Sequence, residues 1–259
     1  MTDPSPVPLA PDAPFTVVLP AVDEAERVGD VVAEAFRAGA ARVLVAEGGS
    51  TDGTAEVAAA AGADVVTVSS LPPGGPSLGK GDALWRALAL VDTPLTVFLD
   101  ADLFIDGPAF IGSLLEPVRA GRAVFSKACF TRVRPAGVPP EPGRITVLVA
   151  QPLLRLLHPA VADMDEPLSG QVAARTEVLR SVDFEVDYGL EIGMLLDVLE
   201  RYGPDAVAHP DCGVLGHLSQ TEAALGAMAT QVMSAALRRV GVVAPGDRRP
   251  DPRPAYGPA

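Results

Sequence analysis

The nine residues 95–103, LTVFLDADL, decide the fold: five residues of strand character run without a break into two aspartates one residue apart. A continuous run of this kind, rich in Val, Leu and Phe and preceded by Thr93-Pro94, is the pattern of a strand buried on both faces of a parallel sheet. Asp100 and Asp102 then fall at its carboxyl end, where open α/β sheets bind their ligands. Side chains repeat every second residue along an extended chain, so both carboxylates project to one side. Two hard oxygens so placed suit Mg²⁺, which takes one or two carboxylates and completes its octahedron with water and substrate phosphates. Asp-x-Asp by itself is short and common, and it also closes strands or caps helices; its weight comes from what surrounds it.

Upstream, Phe15 to Leu19 (FTVVL) reads as a first buried strand that runs into Pro20-Ala21-Val22-Asp23-Glu24 and a helix ending at Gly39. Ala41 to Ala46 is a second strand, followed by EGGSTDGT (47–54) and an alanine-rich helix, and Asp64 to Val68 is a third. Strand and helix alternating in this way predict an α/β fold: a doubly wound, Rossmann-like sheet with right-handed crossovers. The loop LPPGGPSLGKG (71–81) joins flexible backbone, a lysine and a helix N-terminus, the makings of a phosphate cradle. It is not the Walker pattern, and no GxGxxG follows the first strand, which argues against a dinucleotide site.

Downstream, a helix opens at Gly107-Pro108, Arg122 to Phe130 reads as one strand, and Ile145 to Leu157 reads as an apolar helix broken or kinked near Pro152. A strongly apolar helix starts at Tyr188-Gly189-Leu190-Glu191, Ala206 to Val214 returns to the sheet, and Thr221 to Val240 is a long amphipathic helix. The organisation expected is an arm over 1–14 with five prolines and no periodicity, a first half over 15–130, a second half with the long helix over 131–240, and a Pro- and Arg-rich tail over 241–259. Both ends are expected to be disordered.

Composition narrows the chemistry. The 259 residues are 48% hydrophobic, enough for one large core or two modest ones. No run is long enough to span a membrane and the N-terminus lacks a signal-peptide pattern, so a cytoplasmic protein with no membrane partner is expected. A formal net charge of −13 argues against nucleic acid as a partner, because backbone phosphates demand a basic face. Cys129 and Cys212 form neither a metal spacing nor a disulfide framework. Lys80 and Lys127 are the two lysines beside eighteen arginines, a bias under which a surviving lysine suggests a need for a compact point charge.

Nine motifs in order now carry a resemblance: PAVDEAERVGDVV (20–32), EGGSTDGT (47–54), LGKGDALWRAL (78–88), VFLDADL (97–103), GRITVLVAQPLL (143–154), EPLSGQVAARTEVL (166–179), DYGLEIGMLLDVL (187–199), GVLGH (213–217) and LGAMATQVMSAALRR (225–239). Together they resemble the glucosyl-3-phosphoglycerate synthases, retaining glycosyltransferases of the GT-A fold, over roughly residues 15–240. The resemblance implies a metal-dependent hexosyltransferase that moves a sugar, glucose in the family, from UDP-glucose to a small anionic acceptor such as 3-phosphoglycerate, with Mg²⁺ or Mn²⁺ as cofactor and a homodimer formed through the C-terminal helices. It implies donor contacts from Pro20, Ala21, Val22, Asp23, Glu24 and Ser50, and from Lys80, Asp100 and Ala101 around the nucleotide. Asp102 and His217 correspond to the protein ligands of the metal; Leu168, Ser169 and Gly170 with Glu191 correspond to the sugar pocket; Gly143, Arg144, Ile145 and Thr146 correspond to the acceptor cradle. Lys80 and Glu191 are the residues the resemblance places at the chemistry.

The residues admit plainer readings as well. Glu24 and Glu191 could be helix N-terminal carboxylates favoured by the dipole, Arg144 could pair with Glu141 at the surface, and Met228 and Met233 read as packing residues. The sequence departs from the family at Leu215 and Leu218-Ser219, where basic or polar residues flank the metal histidine, and in the segment ACFTRVRP. Those losses leave open the same donor chemistry with another acceptor, or an inactive nucleotide-binding homologue. A sugar-1-phosphate nucleotidyltransferase would need a glycine-rich loop with Arg after the first strand, where this chain has PAVDEAER.

Overall fold

The structure, a computed structural model, describes residues 7–105, 107–132, 143–216, 222–247 and 249–257. In chain order the elements are β1 (Phe15–Ala21), α1 (Val28–Arg37), β2 (Arg42–Glu47), α2 (Thr54–Ala60), β3 (Asp64–Thr67), α3 (Lys80–Leu88), β4 (Leu95–Phe98), β5 (Phe104–Ile105) and α4 (Ala109–Arg119). Then follow β6 (Phe125–Lys127), β7 (Cys129–Arg132), a π-helical turn (Thr146–Ala150), α5 (Gln151–Leu157), β8 (Val172–Arg175), α6 (Thr176–Arg180), α7 (Leu190–Tyr202), β9 (Val207–Ala208), β10 (Asp211–Gly216) and α8 (Glu222–Arg239).

Seven strands form one mixed sheet in the order β3-β2-β1-β4-β8-β6-β9, and β5-β10-β7 form a second, smaller one. The first four strands in that order are parallel, β1 pairing Val17 with Val43 of β2 and with Val97 of β4. β8 runs antiparallel to β4 and β6 on either side. It comes from the second half of the chain, yet it lies between β4 and β6 of the first half, so one sheet spans both.

The apolar runs are buried on both faces, and alternate residues serve opposite layers. Phe15, Val17 and Leu19 of β1 and Leu95 and Val97 of β4 pack with α1, α2 and α4, whereas Val18 and Phe98 pack with α3, α7 and α8. Burying side chains of this size contributes about 1.5–3 kcal/mol each. Both central strands are therefore fixed in register by packing on two sides, which holds their carboxyl ends, and the loops that follow, in one place.

Three expectations are corrected. The run Arg122 to Phe130 is two strands in two sheets: Ala128 N–H still reaches Gln171 O at 3.0 Å, while Cys129 N–H turns to Pro210 O at 2.9 Å. The kink expected near Pro152 is a π-helical turn ending at Ala150, and Pro152 falls in the first turn of α5, where its missing N–H costs nothing. The described residues of the tail are tied down: Phe184 and Arg253 exchange two backbone hydrogen bonds of 2.8 Å, Trp85 Nε1 donates to Pro254 O at 2.9 Å, and the rings of Trp85 and Tyr256 lie 5.3 Å apart. The described part of the N-terminal arm is tied down too, Leu9 N–H reaching Arg119 O at 3.1 Å. Among the described residues, no helix is long and apolar enough to cross a membrane.

Candidate active site

β1, β2 and β4 deliver three loops to one edge of the sheet, and the first two are laced together. Asp23 takes a positive φ of 55°; its N–H donates to Ser50 Oγ at 3.0 Å and its Oδ1 accepts from Thr51 N–H at 2.8 Å. Glu24 N–H reaches Thr54 Oγ1 at 2.8 Å, and Ala25 N–H reaches Asp52 Oδ2 at 3.0 Å. The hydroxyl of Thr54, with the Ala25 and Thr54 amides, holds the Asp52 pKa below the ordinary carboxylate range. The family resemblance pointed to Asp23 and Ser50; Asp52 and Thr54 complete the lacing, and the cue for them was the turn-forming run STDGT.

Behind these loops lies a cavity of about 410 Å³, lined by Pro20, Ala21, Val22 and Glu24 after β1, by Ala46 and Gly48 after β2, and by Asp100, Ala101 and Asp102 after β4. Ser77 and Gly79 in the loop before α3, with Lys80 and Ala83 on it, close the cavity from one side, Tyr188 and Met228 from the other. Met228, read from the sequence as packing, thus faces the cavity. Gly48 is required here, because a Cβ would stand 2.6 Å from Val22 Cγ2.

Lys80 sits at the start of α3 and donates to two carboxylates, Asp100 Oδ1 at 2.5 Å and Glu191 Oε1 at 2.7 Å. Burial pulls on its pKa in the downward direction, but the two acids outweigh it and hold the amine well above its ordinary range. Glu191 is in the first turn of α7, as the helix reading has it, and is also the acid of this pair. Asp100 Oδ2 accepts from Gln171 Nε2 at 2.8 Å. Gly170 presses on the same group: a Cβ there would meet Lys80 Nζ at 2.5 Å and Asp100 Oδ2 at 2.7 Å. Ser169 is 3% exposed, and its carbonyl accepts from Lys127 Nζ at 2.5 Å. Lys127 is wholly buried on β6, and burial lowers its pKa to about 8. Both lysines of the chain therefore converge on this site, Lys80 directly and Lys127 through the Leu168-Ser169-Gly170 turn.

Glu24 faces Asp102 across the cavity, and burial, with the charges of Asp102, Asp52, Asp100 and Asp23, raises its pKa to about 7. No hydrogen-bond donor or cation among the described residues holds the Asp102 carboxylate, whereas Asp100 is taken up by Lys80 and Gln171. A partnerless carboxylate beside other acids suits a hard divalent cation. Among the described residues no three His, Cys, Asp or Glu come close enough to hold a metal by themselves, so water and ligand oxygens would complete the shell. His217 lies outside the described residues. Gly216, immediately before it, pairs with Phe104, two residues beyond Asp102.

The segment Gly143, Arg144, Ile145 and Thr146 leads into the π-helical turn and does not line the cavity. Thr146 is buried, Arg144 exposed; a Cβ on Gly143 would lie 3.2 Å from Thr146 Oγ1 and 3.7 Å from Arg132 Nη2. Arg132 makes a two-pronged pair with the buried Glu166, at 3.1 and 2.7 Å, and was not singled out by the sequence reading. His209 fixes the Glu166 backbone through Nε2 at 3.3 Å and bonds Lys127 O through Nδ1 at 2.8 Å. The pairing of Arg144 with Glu141 involves a residue outside the described set.

Residues 16–160 match the family described as glycosyl transferase family 2. A glucosyl-3-phosphoglycerate synthase of Mycolicibacterium paratuberculosis is 40% identical over 240 residues, 88% of this chain and 73% of that protein. That of Mycobacterium tuberculosis is 38% identical over the same share of the chain. This chain belongs to their family. Its sheet has the GT-A fold of the solved structures: the Mycobacterium tuberculosis synthase in complex with Mn²⁺, UDP-glucose and phosphoglyceric acid matches with a TM-score of 0.82 at 37% identity, over 90% of this chain and 82% of that one. The same enzyme with Mg²⁺ and UDP matches at 0.81. The chain is a glycosyltransferase, and its cavity lies at the carboxyl ends of β1, β2 and β4, where open α/β sheets bind their ligands.

Proposed function

We propose that this glycosyltransferase moves glucose from UDP-glucose to 3-phosphoglycerate, with Mg²⁺ or Mn²⁺ at Asp102 and retention at the anomeric carbon. The observation that carries the reading is the Asp100–Lys80–Glu191 cluster at the edge of a cavity that is also lined by Asp102, a carboxylate with no partner among the described residues. Identity of 40% with a synthase of this activity supports it. The Pro20 to Glu24 turn, with Ser50 bound to Asp23, takes the uridine, and Lys80, Asp100 and Ala101 take the nucleotide further in. Asp102, with His217, would hold the cation, which supplies Lewis-acid stabilisation of the departing diphosphate. The sugar rests on Leu168, Ser169 and Gly170; the bare Cα of Gly170 lets it approach the Lys80–Asp100 pair.

The remaining chemistry follows from charge. Breaking the bond from the anomeric carbon to phosphate builds positive charge on the sugar. Glu191, paired with Lys80 at 2.7 Å, stabilises that charge and orients hydroxyls. No protein nucleophile is needed when the acceptor attacks from the leaving-group side and gives its proton to the departing phosphate oxygen. The acceptor's phosphate and carboxylate go to Gly143, Arg144, Ile145 and Thr146, with Arg132 at the rim; a guanidinium and a hydroxyl around a residue without a side chain suit a small anion. The enzyme acts as a homodimer through α8, whose Met233 is 44% exposed. Mass spectrometry of products from UDP-glucose and 3-phosphoglycerate tests the reading. Expected is the mass of a glucosyl-phosphoglycerate; transfer to other acids but not to this one refutes the acceptor, and UDP binding without turnover on any acceptor refutes the activity.

A further inference from the structure

The turn that presents Lys80 is held on two sides, and neither side belongs to the donor cavity. On one, Gly81 N–H donates to Val186 O at 3.2 Å, and a Cβ on Gly79 would stand 2.5 Å from that oxygen, so the turn lies flat on the backbone of residues 185–187. On the other, Asp82 is fully buried and ties the turn from within, Oδ2 accepting from Leu78 N–H at 3.0 Å. Arg86 pairs with Asp82 at 2.9 Å and gathers the carbonyls of Val68 and Gly75, each at 3.0 Å. Residues 249–257 touch both sides. Arg253 Nε reaches Asp82 Oδ1 at 2.6 Å, and its backbone pairs with Phe184 just ahead of 185–187. Arg249 reaches Asp187 at 3.3 Å, and Asp187 caps the start of the helix that carries Glu191: its Oδ1 accepts from Gly189 N–H at 2.9 Å and its carbonyl from Leu190 N–H at 3.1 Å.

We infer that the C-terminal segment 249–257 is a strap that registers Lys80 against Glu191, with Arg253 as the positioning residue on the Lys80 side and Arg249 on the Glu191 side. One short piece of chain sends two forked cations to two acids, each one turn or less from one member of a 2.7 Å ion pair. The pair forms between the start of α3 and the start of α7, elements 111 positions apart in sequence, so its distance is set by whatever holds those two helix ends together. Arg86 still pairs with Asp82 when Arg253 is removed, so Asp82 is not left as a lone buried charge and the change falls on the register. The inference deepens the proposed reaction by naming what positions its lysine.

The test uses the full chain and the variants R253A, R253K and R249A. Lys80 and Lys127 are the two lysines present, and Lys127 is wholly buried, so peptide mapping after brief acetylation reads Lys80 without reference to any substrate. Expected are faster Lys80 acetylation in R253A and R249A, recovery in R253K, and a kcat on UDP-glucose lower on the order of 10- to 100-fold, as for a reacting group displaced by about 1 Å. The sole tryptophan, Trp85, whose indole donates to Pro254 O, reports whether the strap has left its seat. Where R253A does not fold, R253Q keeps the bulk and a donor and serves the same comparison. Wild-type acetylation of Lys80 in R253A or R253Q, whatever the melting temperature, overturns the strap. A wild-type enzyme that turns over no UDP-glucose sinks the proposed reaction instead, and the acetylation rates still decide the inference.

Discussion

Raising the pH from 7 to 10 should stabilise this protein through Lys127 alone. The lysine is wholly buried, its ammonium donating to Ser169 O at 2.5 Å, and burial lowers its pKa from 10.5 to about 8. The unfolded chain keeps that proton up to 10.5 while the folded chain releases it near 8, so between the two the unfolded state binds more protons and stability rises with pH. With these two values, the cost of folding around the charged amine is about 3 kcal/mol at pH 7 and about 1 kcal/mol at pH 10, a gain of roughly 2 kcal/mol. Tyr256, Cys129 and Cys212 act in the opposite sense: burial lifts them to about 12, 11 and 12, so the unfolded chain loses those protons first and stability falls as pH rises. The variant Lys127→Met separates the contributions, since it keeps an unbranched stem, removes the titration, and leaves Ser169 O without its donor by an amount that does not depend on pH. Urea unfolding of both proteins at pH 7, 8.5 and 10 reads the difference. The wild type should gain about 2 kcal/mol on the variant over that interval; two parallel curves would refute the buried, proton-poor lysine.

Three further outcomes follow from the site. Asp102→Asn should weaken UDP binding in the presence of Mg²⁺ by tenfold or more, about 1.4 kcal/mol, while binding without metal stays as it was; equal Mg²⁺ dependence in calorimetry would remove the metal from Asp102. Gly170→Ala puts a methyl 2.5 Å from Lys80 Nζ and should lower kcat on the order of 100-fold, with single-turnover kinetics as the check and an unchanged rate as the contrary result. Glu191→Gln leaves Lys80 paired with Asp100 at 2.5 Å, so donor affinity should hold and kcat should fall; a raised KM at constant kcat would make Glu191 a binding group only.

Where the sequence could be read well, burial had left one solution. FTVVL, ARVLVA and LTVFL each carry a single polar residue, Thr16, Arg42 and Thr96, in an otherwise apolar run, because layers cover both faces of the sheet, and their carboxyl ends locate Pro20, Glu47 and Asp100 without any knowledge of distant contacts. Lys80 was legible for a different reason, as one of two lysines in an arginine-rich chain placed just before a helix. The split of RAVFSKACF was not legible, since nothing local in the run says that Ala128 bonds Gln171 while Cys129, the next residue, bonds Pro210. Periodicity reports the face a residue turns to, not the sheet it joins.

The tail marks the deeper limit. A stretch such as RPDPRPAYGP has the composition of disorder, because proline and arginine cannot build a core of their own. Here they do not need to: Arg253 finds a fully buried Asp82, 171 positions away, and Tyr256 finds Trp85. A carboxylate that is 0% exposed inside a helix must have cations, and the helix itself supplies Arg86 four residues on; burial pushes its pKa upward, yet the Leu78 amide, Arg253 and Arg86 together bring it below the ordinary value. Asp82 was thus the one local sign that a second arginine was wanted from elsewhere, and an acid in the first turn of an otherwise apolar helix face, next to the lysine at the site, is the place where an apparently disordered arginine-rich end should first be looked for.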